Sequence, residues 1–257
     1  MIPFDDVQRT EPILAGTDAR SADINLARLQ QLGMVTPDGG RTAVAEDFRI
    51  IKRPLLRSSR GVDGQPIRNG NLIVVTSAMP AEGKTYCAIN LAMSMAMERD
   101  TTVLLVDADV ARPSVLSALG LPPRAGLMDV LLDDELDLAD VILRTNVPAL
   151  SILPAGRRNK HATELLAGRG MMQLLEDIAS RYPDRIVIFD SPPLLITTEA
   201  SVLAAQMGQV VLVVEAERTT HSAVRDALRQ LEHCPNVNLI YNKIKSFSGN
   251  DYYAYYD

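Results

Sequence analysis

Beyond residue 70 the chain is paced by six short apolar runs separated by helix-length stretches. The runs are LIVVTS (72–77), TVLLVD (102–107), LSILPA (150–155), RIVIFD (185–190), VVLVVEA (210–216) and VNLIYNK (237–243). They are almost continuously apolar and rich in β-branched residues, the pattern of strands covered on both faces of a parallel sheet. TYCAINLAMSMAMER (85–99) and ATELLAGRGMMQLLEDIASRY (162–182) have the length and spacing of helices between them. Such alternation predicts an α/β fold, a doubly wound and mostly parallel sheet flanked by helices. Ligands bind such sheets at the carboxyl ends of the strands, and three of these runs end there in polar residues suited to chemistry.

Upstream the pattern loosens. Residues 1–42 are largely polar; INLARLQQLGM (24–34) predicts a short helix and TPDGGRT (36–42) a turn. VAEDFRIIKR (44–53) predicts a second helix stopped by Pro54, and SSRGVDGQPIRNGN (58–71) reads as a connector. The expected organisation is an N-terminal extension over 1–57, a nucleotide-binding domain over 58–246 and a flexible tail over 247–257. No internal repeat is present.

The loop after the first run decides the ligand. AMPAEGKT (78–85) has P-loop spacing between a strand and a helix, so the sheet is expected to be of P-loop NTPase type. Backbone N–H groups from Met79, Pro80's neighbours Ala81 and Glu82, then Gly83 to Tyr86, would wrap phosphates at the positive end of the helix. Lys84 would reach the β- and γ-phosphates, and the Thr85 hydroxyl would ligate Mg²⁺. Ala78 stands where the pattern has its first glycine, which is tolerable only if φ there stays negative.

Two further strand ends carry carboxylates. VLLVDADVARP (103–113) offers Asp107, Asp109 and Arg112; IVIFDSPPLL (186–195) offers Asp190 before Pro192 and Pro193. A lone strand-ending aspartate is commonly a helix N-cap. Two of them beside GKT predict Mg²⁺–ATP binding. Asn242, after the last run, could present its amide to a nucleobase, or simply favour a turn.

Composition narrows the class. The 257 residues are 47% hydrophobic, enough for a large core, and the net charge of −6 argues against sequence-independent nucleic-acid binding. Cys87 and Cys234 have neither metal-ligand nor disulfide-framework spacing, so a reducing cytoplasm is the expected compartment. The N-terminus has no signal-peptide pattern. The longest apolar run, 87–97, is half the roughly 20 residues of a spanning helix. Tyrosines are concentrated oddly: four of the seven are Tyr252, Tyr253, Tyr255 and Tyr256, in the closing GNDYYAYYD.

AMPAEGKT, VLLVDADVARPS and IVIFDSPP followed by a tyrosine-rich end resemble the bacterial tyrosine kinases that regulate exopolysaccharide and capsule synthesis, in their order Walker A, Walker A′, Walker B. The likeness runs over about 44–257 and is greatest to stand-alone autokinases of exosortase-associated loci. It implies an ATP- and Mg²⁺-dependent protein-tyrosine kinase. Lys84 and Thr85 would hold phosphates and metal, Asp107 would accept or orient the tyrosine proton and share the metal site, Asp109 would support it, and Asp190 would bind Mg²⁺ through water. Tyr252, Tyr253, Tyr255 and Tyr256 would be the autophosphorylation cluster, while Tyr86, Tyr182 and Tyr241 read as packing residues. Glu46, Arg49 and Arg53 share one helix face with Lys52 at its margin, and the resemblance makes this a ring-assembly segment.

The same resemblance implies a transmembrane polysaccharide co-polymerase as activator, protein tyrosine substrates, a phosphotyrosine phosphatase, and a cytoplasmic protein recruited to the inner membrane through its partner. From Lys245 to Asp257 the tail spans at most about 40 Å, enough to reach a neighbour. Four phosphotyrosines would add roughly −6 to −8 of charge, so modified tails gathered in a ring would repel. Two other readings compete. A partitioning ATPase of the ParA/MinD class shares the fold but carries a signature lysine early in the P-loop, and TSAMPAEGKT has none before Lys84. A catalytically inert module that docks through its aromatic tail conflicts with the intact Lys84, Thr85, Asp107 and Asp190.

Overall fold

The computed structural model describes residues 20–61, 67–181 and 184–244. Tyr182 and the tail tyrosines Tyr252, Tyr253, Tyr255 and Tyr256 lie outside the described residues.

The strands are β1 (Ser21–Ala22), β2 (Leu72–Ser77), β3 (Thr102–Asp107), β4 (Leu143–Thr145), β5 (Leu150–Leu153), β6 (Arg185–Asp190), β7 (Gln209–Glu215) and β8 (Val237–Asn242). The helices are α1 (Leu26–Gln31), α2 (Ala43–Ser59), α3 (Lys84–Ala96), α4 (Val115–Leu119) and α5 (Leu127–Leu132). They continue with α6 (Leu138–Val141), α7 (Ala162–Ala167), α8 (Arg169–Arg181), α9 (Thr198–Ala204) and α10 (His221–Gln230). One eight-stranded sheet runs β1-β4-β5-β3-β6-β2-β7-β8, and only the β4–β5 pair is antiparallel.

All six apolar runs are strands, and alternate residues of each face opposite layers. Ile73, Val75, Val103, Leu105 and Ile188 pack with α1–α4; Val74, Leu104, Val106 and Phe189 pack with α5–α10. Helix α3 is apolar nearly all round, as a helix wedged against a sheet beneath another helix must be, and Cys87 to Met95 are buried. No described helix is long and apolar enough to cross a membrane.

Four sequence expectations need correction. Pro54 does not stop α2, which continues to Ser59. The carbonyl that Pro54 leaves without a donor belongs to Ile50, on the solvent side at 62% exposure, where water can serve it. Leu55 and Leu56 are buried beyond it, and the buried Gln209 Nε2 donates to Leu55 O at 3.0 Å. The expected boundary at 57/58 therefore falls inside a helix tied to the sheet. The 162–182 helix is two helices, because Gly168 is extended at the end of α7. Tyr241 is not a packing residue: β8 is an edge strand, and Leu239 and Tyr241 face outward, each more than half exposed.

The fourth correction is Lys52, which is not at the rim of an exposed face. It is 4% exposed, its ammonium donates to Ser94 O at 2.6 Å and it pairs with Glu98 at 2.7 Å. Glu46, Arg49 and Arg53 keep some exposure, with Arg49 paired to Glu46 at 2.5 Å. Lys52→Ala is expected to cost about 1–3 kcal/mol in urea unfolding, since it orphans a buried carbonyl. Arg53→Ala should stay within about 0.5 kcal/mol. Equal effects from the two would contradict the inward placement of Lys52.

Candidate active site

The P-loop follows from β2 and α3. Ala78 is buried and its φ is not positive, so the condition for an alanine there is met. The left-handed turn falls instead at Ala81 (φ 67°) and Gly83 (φ 97°). Met79, Pro80 and Ala81 are exposed at the mouth of the loop.

Glu82, expected from the sequence only to offer its backbone N–H, clasps the loop with its side chain. Although an ordinary surface residue by type, it is 2% exposed. One carboxylate oxygen accepts the Met79 N–H at 2.8 Å across the loop, and the other accepts the Thr219 hydroxyl. Its backbone carbonyl accepts Asn242 Nδ2 at 2.9 Å, and Lys243 Nζ donates to Ala81 O at 2.6 Å. Asn242 thus steadies the loop from the end of β8, and its other amide atom is what remains for a base. The available signal in the sequence was an Asn closing an apolar strand run, with Lys243 directly after it.

Gly83 is obligatory here for two reasons. Its φ is left-handed, and a Cβ would lie 2.2 Å from Asn242 Nδ2. Gly83→Ala should cost about 1–3 kcal/mol and weaken Mg-ADP binding. Adding Asn242→Ala should recover the clash but not the backbone strain; calorimetric titration and thermal unfolding of both variants check this.

Beside the loop, β3 and β6 pair in register so that Asp107 faces Asp190. Both are essentially fully buried. Asp107 Oδ2 accepts the backbone N–H groups of Ser114 and Val115, each at 2.9 Å, where the chain enters α4. Asp190 Oδ2 accepts the Thr85 hydroxyl at 2.6 Å, and Thr85 Oγ1 lies 2.9 Å from Ser114 Oγ. Ser114 was not foreseen; its only signal was its place after Pro113 at a helix start. Lys84 Nζ pairs with Asp109 Oδ2 at 2.9 Å, and the Arg112 backbone N–H, not its guanidinium, bonds Asp109. Tyr86 turns its ring away, its hydroxyl donating to Gly33 O at 3.0 Å.

Electrostatics follow from this burial. Desolvation pushes the Asp190 carboxyl up to about 7, against the pull of Lys84 and the Thr85 hydroxyl. Desolvation also raises Asp107 to about 6, opposed by its two backbone donors and aided by Asp109. Burial pulls Lys84 down, but Asp190 and Asp109, then Asp107, more than reverse it and leave the ammonium above its ordinary value. Desolvation takes the Cys87 thiol to about 12, so it is no nucleophile.

Asp107 Oδ1 and Asp190 Oδ1 are buried without a hydrogen-bond partner. Among the described residues no group of three or more His, Cys, Asp or Glu is arranged for a metal. Two carboxylates and a hydroxyl beside a phosphate loop nonetheless suit Mg²⁺, which usually takes one or two carboxylates and completes its shell with phosphate and water.

The chain has recognisable relatives. A family model described as an AAA domain matches residues 70–244. The tyrosine-protein kinase YwqD of Bacillus subtilis is 32% identical over 214 residues, taking in 82% of this chain and 86% of that protein. The chain belongs to the bacterial tyrosine kinase family. With EpsB of Ralstonia nicotianae this family member shares 34% identity over 163 residues, 63% of its own length but only 21% of that much longer protein. The kinase domain of the Escherichia coli tyrosine kinase ETK superposes with a TM-score of 0.68 at 25% identity, over 82% of this chain and 81% of that domain. The cell division ATPase MinD of Pyrococcus furiosus, at 20% identity and TM-score 0.55 over 66% of this chain and 70% of that one, shares the fold alone.

Proposed function

We propose that the protein is an ATP- and Mg²⁺-dependent tyrosine autokinase that phosphorylates Tyr252, Tyr253, Tyr255 and Tyr256, in trans within an oligomer. The observation that carries the reading is the pair of buried, partnerless oxygens on Asp107 and Asp190 beside Lys84 and Thr85. Thr85, Asp107 and Asp190 would hold Mg²⁺, which would supply positive charge to offset that of the phosphates. The P-loop amides and Lys84 orient the γ-phosphoryl group in line with the incoming phenol. The phenol oxygen forms the new bond to phosphorus, the bond to the β–γ bridging oxygen breaks, and ADP departs with that electron pair. The phenolic proton passes to Asp107, the buried carboxylate at the end of β3 that faces Asp190.

Asp109 holds Lys84 until phosphate competes for it, which makes it a positioning residue. Glu46, Arg49 and Arg53 would serve ring assembly; buried Lys52 would support that helix from beneath. The activator is a membrane-embedded polysaccharide co-polymerase that recruits the kinase to the cytoplasmic face, with a phosphatase resetting the tail. Output would be control of exopolysaccharide synthesis or export, through repulsion between phosphorylated tails that loosens the ring.

The test is mass spectrometry of the 246–257 peptide after incubation with Mg-ATP and the cytoplasmic segment of the co-polymerase. Phosphate on Tyr252–Tyr256 is expected. Hydrolysis of ATP with an unmodified tail would favour the ParA/MinD-type switch, which the shared fold keeps as the second reading.

A further inference from the structure

Next to the nucleotide carboxylates lies a cavity of about 300 Å³ that the phosphate chemistry does not use. Asp107 is one of its lining residues, and the Asp107 Oδ1 is buried without a hydrogen-bond partner. The walls are apolar and stiff, built by Pro113, Leu121, Pro123 and Pro154. Arg124 and Arg158 complete the lining, and neither forms an ion pair among the described residues. Neighbouring Arg157 is different, being committed to Asp129 at 3.2 Å. A larger cavity of about 470 Å³, between α2 and β8, touches neither Asp107 nor Asp190.

Two unpaired guanidiniums at one apolar pocket run against a chain of net charge −6. Guanidinium is the side chain best matched to carboxylate and phosphate, and prolines offer flat faces to an aromatic ring. A ligand for this pocket therefore has an aromatic body, a hydroxyl to meet Asp107, and acidic groups on either side. GNDYYAYYD is such a sequence: Asp251 precedes Tyr252 and Asp257 follows Tyr256.

We propose that this cavity is the acceptor subsite, taking one tyrosyl ring with its hydroxyl at Asp107, while Arg124 and Arg158 read acidic groups flanking it. The inference rests on the kinase reading above and adds its substrate class, a tyrosine beside a carboxylate or a phosphate. Tyr252 and Tyr256 are then modified before Tyr253 and Tyr255. Each phosphate added gives the arginines a stronger partner for the next round.

The experiment uses the whole chain with its tail tyrosines changed to Phe, so that only added peptide accepts phosphate. GNDYYAYYD and its Asp251→Asn, Asp257→Asn form are compared by steady-state transfer, and by anisotropy of the labelled peptides on protein loaded with Mg-ADP. The acidic peptide should have a KM and a Kd roughly tenfold lower, a preference that fades with added salt. In the Arg124→Gln, Arg158→Gln double variant the two peptides should become equivalent, with kcat little changed. Early mass spectra of the unaltered chain should show Tyr252 and Tyr256 modified first.

An acidic preference that survives in the double variant, or is absent from the parent, overturns the subsite; so does initial modification of Tyr253 or Tyr255. Because the peptide comparison changes no residue of the described fold, a misfolded Arg124, Arg158 variant would not by itself rescue or sink the result. Arginine-dependent binding with no transfer to any peptide would keep the subsite and refute the kinase reading. Transfer that ignores the flanking acids would do the reverse.

Discussion

Lys84→Met is expected to lower tail phosphorylation by about 10³-fold, because in the proposed mechanism it removes the P-loop cation that meets the transferring phosphoryl group. A second effect follows from the geometry. Lys84 is 12% exposed and its partner Asp109 is 7% exposed, with Asp190 and Asp107 also acting on the ammonium. Without it, three buried carboxylates remain with no cation between them. Stability should fall by about 3 kcal/mol at pH 8, the scale for breaking a buried pair. The loss should shrink at pH 5, where Asp107 and Asp190 take up protons, and should be partly restored by Mg²⁺. Time-resolved mass spectrometry and thermal unfolding measure the two effects. The variant also isolates the acceptor role. Mixed with active protein whose tail tyrosines are changed to Phe, its own tail should become labelled, as transfer in trans requires. Labelling at the normal rate by Lys84→Met alone would remove Lys84 from the mechanism.

What the sequence made legible is uneven for physical reasons. The central strands are apolar on both faces, so β2, β3, β6 and β7 stand out, and GKT followed by two strand-end aspartates marks the candidate phosphate site. Strands of two and three residues, β1 and β4, are too short for alternation to show. Pro54 misleads because a proline is tolerated where the carbonyl it orphans already faces water. Lys52 and Glu82 are charged residues whose burial depends on partners far along the chain: Ser94 and Glu98 for one, Thr219 and Asn242 for the other. Spacing arguments reach residues that share an element. The clasp on the P-loop and the pocket beside Asp107 are made by loops converging from several strands, and periodicity carries no record of that.

Asp190→Asn should make the protein more stable and less active at once. The folded value of Asp190, about 7, lies above the ordinary 3.8. Between those values the folded protein holds a proton that the unfolded chain has released. The stability this group contributes is therefore complete below about pH 4 and is lost as pH rises through 7. Asp107, raised to about 6, adds a loss of the same sign over a lower range. Asparagine keeps the shape and can still accept the Thr85 hydroxyl, but it has no charge to desolvate beside Asp107. At pH 8 the variant should be more stable than the parent by on the order of a few kcal/mol; by pH 5 the difference should have fallen to less than half, and it should disappear only below about pH 4. Mg²⁺ without nucleotide should raise the melting temperature of the parent at pH 8 and leave the variant nearly unmoved, while tail phosphorylation falls by at least about 10²-fold. A variant no more stable than the parent at pH 8, or a gain that persists unchanged to pH 5, would contradict the assignment. The expected pattern would locate the origin of the instability: two ionised carboxylates, registered side by side on β3 and β6, form a cation site that the fold carries at a cost until the metal arrives.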